Sequence, residues 1–144
     1  MTDSRAAQIL DAACDQLRTI SGVHANQVVP KRRFNAQIPV DMFPFFEVYH
    51  GGETRVSEPG HLRAFLAVQI KITFANIQQQ DDYYVENFLK TVEDKLADNP
   101  TLGLNNFVHQ SYVQNISPDE AQDDTRQERV MTLVVDYSFT FGES

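Results

Sequence analysis

Two stretches of this chain alternate apolar and polar residues for thirteen positions each, and strands of that length constrain the fold more than any other feature of the sequence. In "RVMTLVVDYSFTF", 129–141, one side carries Arg129, Met131, Leu133, Val135, Tyr137, Phe139 and Phe141; the other carries Val130, Thr132, Val134, Asp136, Ser138 and Thr140. In 62–74, Leu62, Ala64, Leu66, Val68, Ile70, Ile72 and Phe74 lie opposite Arg63, Gln69, Lys71 and Thr73. At ~3.4 Å per residue such a run reaches about 44 Å, well beyond the usual strand. A long strand needs a long partner, so the two runs are expected to pair. Each has one greasy side for a core and a second side that is only half polar, with Phe65 and Ala67 in the first run and Val130 and Val134 in the second. A half-apolar second face suits contact between subunits.

The other elements arrange themselves around this pair. Thr2, Asp3 or Ser4 caps a first helix whose Ala6, Ile9, Leu10, Ala13 and Leu17 form one stripe, ending at Ser21-Gly22. "VHANQVV", 23–29, predicts a short strand stopped by Pro30, and "KRRFNAQIPVDMFP", with Pro39 and Pro44, an irregular connection. "FFEVYH", 45–50, predicts a strand, and the glycines and proline of "GGETRVSEPG", 51–60, a turn or projecting loop. Asp81 or Asp82 caps a second helix, lined by Val85, Phe88, Leu89, Val92 and Leu96 and ended by Asn99-Pro100. "FVHQSYVQNI", 107–116, is strand-like but polar, as an edge or exposed strand would be, and "SPDEAQDDTRQE" is an acidic linker to the last strand. The expected fold class is α+β: one domain over 1–144, with a mostly antiparallel sheet of long strands and two main helices packed on one face.

Composition bounds the function. A chain of 144 residues, 42% hydrophobic and 22% charged, can bury a core without staples, and its apolar runs fall far short of the ~20 residues of a membrane span. The start shows no secretory signal, and Cys14, alone, can form no internal disulfide and fits a small buried hydrophobe. A soluble protein made in the cytoplasm is expected. A formal charge of -8 argues against general affinity for nucleic acid, although an acidic surface can line a passage through which DNA slides without sticking.

Residue chemistry points to contacts rather than catalysis. His24, His50, His61 and His109 lack metal-site spacing; His50 and His61 flank the same predicted loop and could approach across a hairpin, but no third ligand is near. The acidic run Asp119, Glu120, Asp123, Asp124 and Glu128 lacks the alternating ligands and central glycine of a calcium loop. Lys31, Arg32 and Arg33, followed by Phe34, make the one basic cluster, too small for a nucleic-acid platform and suited to the acidic linker of a neighbouring copy in a head-to-tail ring. Gly51-Gly52 and "TLGLNN" have no phosphate-loop signature after them, and no nucleophile elbow or cofactor fingerprint occurs. No catalytic, cofactor or metal residue is assigned.

"AAQILDAACDQLRTISGV", "DNPTLGLNNFVHQSYVQ" and "ERVMTLVVDYSFTFG", with Tyr137 near the end of the last strand, together resemble the bacteriophage tail terminator family, also called minor tail or tail completion proteins. The likeness runs over most of the chain; "KRRFNAQIPVDMFPFFEVYHGG" departs from it. The resemblance implies a non-enzymatic virion protein at the head-proximal end of the tail, forming a ring of six copies on the tail tube. Such a ring stops tube growth and offers a surface to the neck or head completion protein while phage DNA passes through its lumen. Its partners would be itself, the major tail tube protein and the neck, with no membrane and no cofactor. Within it, Val130, Thr132 and Val134 are expected at a subunit interface, and loops 51–61 and 117–128 at axial contacts. The alternatives are a neck adaptor, or a small α+β binding or enzymatic domain built on His50, His61 and the acidic linker.

Overall fold

The computed structural model describes residues 4–31, 42–59, 61–75, 80–119 and 126–139, the side chains of Glu58, His61 and Asp119 excepted. Helix α1 (Arg5–Arg18) starts at Ser4, whose hydroxyl accepts from the Ala7 amide at 3.1 Å, and helix α2 (Asp82–Ala97) starts at Asp81, whose carboxylate accepts from Tyr84 N at 2.9 Å. Both caps satisfy amides that the first helical turn leaves without a partner. The strands are β1 (Val28–Val29), β2 (Phe45–Glu58), β3 (His61–Ala75), β4 (Val108–Asp119) and β5 (Arg126–Phe139), in the order β1-β2-β3-β5-β4. Only β1 with β2 is parallel; the remaining pairs are antiparallel, so the fold is α+β.

The two long runs do pair. Antiparallel β3 and β5 stay in continuous register from Leu62↔Phe139 to Ala75↔Arg126. Their greasy sides meet both helices in one core, with α1 giving Ile9, Ala13 and Leu17 and α2 giving Val85, Leu89, Val92 and Leu96. Each of the isoleucine, leucine and valine side chains contributes about 1.5–3 kcal/mol on full burial. Phe46, Phe74, Tyr84 and Phe88 form an aromatic cluster beneath α2, with ring centroids 5.7–6.3 Å apart, and Gln16 Nε2 donates to the Lys95 carbonyl at 3.0 Å, tying α1 to α2.

Three expectations are corrected. The segment 23–29 is strand only at Val28–Val29, because Gln27 turns it into a short 3-10 helix. Its buried side chain accepts from His24 N at 2.8 Å and donates to the Pro44 carbonyl at 2.9 Å. The segment 51–60 is no projecting loop: β2 runs through it to Glu58, paired with β3, and the glycines mark a bulge where the register shifts between His50 and Glu53. Gly52 there has φ +119, and a Cβ at Gly51 would lie 2.5 Å from Gln69 Cγ. Gly52→Ala is expected to cost about 1–3 kcal/mol in chemical denaturation, from backbone strain; an unchanged midpoint would refute the bulge as the reason for this glycine. Third, the acidic linker is shorter than expected, since Ser117–Asp119 belongs to β4 and Arg126–Glu128 to β5, with Asp119 opposite Glu128.

Candidate assembly surface

With the helices on one side, the sheet's second face is laid out in cross-strand rows. One row holds Tyr112, Val134 and Ala67 in register, with Phe65 diagonally next to them; another holds Asn115, Thr132, Gln69 and Tyr49. Thr132 Oγ1 donates to Gln69 Oε1 at 3.0 Å. Two ion pairs flank these rows. Lys71 Nζ is 3.1 Å from Glu128 Oε2, with side-chain exposures of only 13% and 3%. Arg63 grips Asp136 with both Nε, at 3.3 Å, and Nη2, and its guanidinium covers the Phe65 ring at 5.4 Å. Paired this way, these charges largely offset one another beside the apolar rows.

The expected interface residues are distributed unevenly over this face. Val130 is half-buried, while Thr132 and Val134 are 9% and 8% exposed in the chain alone. The more prominent group is their neighbour Tyr112, 48% exposed, which the polar character of 107–116 concealed. Lys31 is exposed just past β1, at one edge of the sheet, and Asp119 ends β4, at the other. Arg32, Arg33, Glu120, Asp123 and Asp124 lie outside the described residues. The two charge clusters thus start from opposite edges. The β2–β3 turn sits at the Phe139 end of β5 and the β4–β5 turn at its Arg126 end, so the hairpins point from opposite ends of the sheet.

Among the described residues, the histidines do not come together in one site. His50 pairs with Val68 and His61 with Glu58, seven residues apart along β3 and so about 23 Å, so the two do not meet across the hairpin. His50 Nδ1 instead accepts from the Gly52 amide at 3.1 Å within the bulge. His109 Nε2 lies 2.5 Å from Ser138 Oγ, but Asp136 is committed to Arg63, and among the described residues no carboxylate backs the imidazole. Among them, too, no group of three or more His, Cys, Asp and Glu could hold a metal ion, and no helix is long and apolar enough to cross a membrane.

Cys14 is 1% exposed between the helices and sheet, and burial pushes its thiol up to about 11. The native chain is therefore expected to resist iodoacetamide at pH 8 and to react in urea. Because the folded value is the higher one, the thiol's contribution to stability is complete below ~8.5 and is lost as pH rises toward 11. Fast alkylation of the native chain would contradict this burial.

No protein-family profile matches the sequence, and no curated protein matches it. Among solved structures, the fold matches a chain from the "Virion of native gene transfer agent (GTA) particle" with a TM-score of 0.61, covering 96% of this chain and 100% of that one. The identity is 11%, so the likeness is one of fold.

Proposed function

We propose that this protein is a structural component of a phage-type virion, and within it a tail terminator: a ring, six copies in the resembled family, that caps the tail tube, ends its growth and offers the other side to the neck. The observation that carries this reading is the end-to-end fold match with a virion chain. The arrangement of hairpins supports it, because a ring between tube and neck needs contact elements at both ends, and the β2–β3 and β4–β5 hairpins point opposite ways. The -8 charge suits a lumen that DNA crosses without binding. The chain acts by shape and interface, without catalysis. Its place is the head-proximal end of the tail.

Reconstitution tests the role. Added to growing tail tubes, the purified protein should stop extension and appear as a terminal ring; binding to portal-bearing heads with no effect on tubes would favour a neck adaptor. Self-contact through the second sheet face is best probed at Tyr112, since Val134 is buried enough that an aspartate there would disturb the chain itself. Tyr112→Asp is expected to weaken self-association at least tenfold in sedimentation, with an unchanged melting temperature. Full-strength assembly of this variant would remove Tyr112 from the interface.

A further inference from the structure

Strand β4 is outermost among the described strands, and a groove runs beside it. Between α2 and β4 lies a space of about 370 Å³ with Leu96, Ala97, Pro100, Val113 and Leu133 along it and Glu93 and Asp94 on the helix side. Ser111 also lines it, and its hydroxyl is buried with no hydrogen-bond partner. From 108 to 117 the strand has no lysine, arginine, carboxylate or proline, the residues that normally keep an edge from pairing. The register of β4 shifts between Val108 and Gln110 and between Val113 and Asn115. With no blocking charge or proline beside these irregularities, an edge over an apolar groove under a helix is suited to strand addition, in which an incoming backbone pairs with the edge while alternate side chains enter the groove.

The sequence itself holds a segment of that pattern. In "KRRFNAQI", 31–38, Phe34, Ala36 and Ile38 alternate with Asn35 and Gln37 behind the basic triplet. We propose that this segment of one copy adds to β4 of a second copy, antiparallel, with its apolar side chains in the groove. That direction carries Lys31, Arg32 and Arg33 toward the end of β4, where Asp119, Glu120, Asp123 and Asp124 follow in sequence. Glu93, beside the groove, adds to the attraction.

A chain cannot fill its own groove this way. The segment leaves after β1 and returns before β2, and a strand beyond β4 lies five strand spacings from the first and four from the second. At ~4.8 Å each, the journey out and back is about 43 Å. The eleven residue steps from Lys31 to Met42 span about 40 Å fully extended, which leaves nothing to run along the edge. The donor must be another copy, and because one edge donates while the other accepts, the contact is head-to-tail and repeats into a ring or filament. It rests on the self-association in the proposed function and not on tail capping.

Complementation tests it. Ala97→Arg, at an exposed helix position, pushes a charged stem into the groove; Phe34→Asp with Ile38→Asp spoils the donor. Each variant alone should sediment as the 16.4 kDa monomer, and an equimolar mixture should give a one-to-one dimer and nothing larger, since one partner can still donate and the other still accept. A synthetic 31–38 peptide in excess should disperse assemblies of the unaltered chain at least tenfold more effectively than its scrambled form, a readout that does not depend on either variant folding. Equal effects of the two peptides, or variants that assemble like the unaltered chain, would overturn the strand addition while leaving the ring in place. An unaltered chain that stays monomeric at millimolar concentration would overturn both.

Discussion

Lys71→Met is expected to destabilise the protein by about 3–5 kcal/mol, seen as a lowered urea midpoint with little change in slope. Methionine keeps most of the lysine stem's volume, so the loss isolates the charge. Glu128, 3.1 Å away and 3% exposed, would be left as a carboxylate in a low-dielectric setting with its cation gone. Glu47 is directly opposite Lys71 in the β2–β3 register and is only 2% exposed, so a second carboxylate would share the same surroundings. Such a loss exceeds what an exposed pair contributes: Lys90 and Asp94, at 3.1 Å on the solvent side of α2, are 73% and 64% exposed, and their disruption is expected to cost no more than about 0.5 kcal/mol. The double replacement Lys71→Met with Glu128→Met should recover much of the loss, because removing both members avoids the stranded charge. A cost below about 1 kcal/mol for Lys71→Met would mean that the second face is far better hydrated than its burial implies.

These pairs also explain which parts of the fold were legible in the sequence. Period-two alternation in 62–74 and 129–141 revealed the strands, their pairing and their core side, since every greasy position in the first run is also the helix-facing one. The helices were legible from their stripes and caps. What alternation cannot carry is register. That Lys71 meets Glu128 and not Glu47 alone, or that Arg63 meets Asp136, depends on how far one strand slides along another, and a two-residue slip preserves the pattern while changing every partner. The glycine pair at 51–52 misled because the same residue type serves tight turns and bulges, and only the partner strand decides between them. The groove beside β4 was illegible for a different reason: it is a relation between Val113 on a strand and Ala97 on the preceding helix, set by how the two elements pack and not by any periodicity within either. The basic triplet and the acidic run were visible as charges, but that Lys31 and Asp119 lie at opposite edges is a property of strand order.

Tyr137→Ala should cost about 3–5 kcal/mol, the range for deleting a large buried aromatic side chain. The residue is fully buried near the end of β5, with its ring 6.3 Å from Phe107 and 6.1 Å from Phe139, and its hydroxyl donates to Glu53 beyond the β2 bulge. Glu53 in turn holds Arg55 at 2.7 Å, and Arg55 lies over Phe139 at 4.5 Å. From the helical side, Arg5 donates to the Ser138 carbonyl and stacks over Phe107 at 4.8 Å, while the Ser138 amide donates to the Phe107 carbonyl at 2.9 Å. One tyrosine thus joins α1, the β2–β3 hairpin, the start of β4 and the end of β5. Tyr137→Phe separates the two contributions: it keeps the ring, removes the hydroxyl and is expected to cost about 1–3 kcal/mol, as Glu53 loses a donor. Burial, and then the bond and charge of Glu53, push the phenol well above its usual value. A raised acid stabilises the fold fully below the unfolded phenol's ~10 and progressively less above it, so the unaltered protein should lose stability beyond pH 10 and the phenylalanine variant should lose less. Parallel alkaline limbs for the two proteins would show that this hydroxyl is solvated, and with it that the hairpin is not fastened to the final strand.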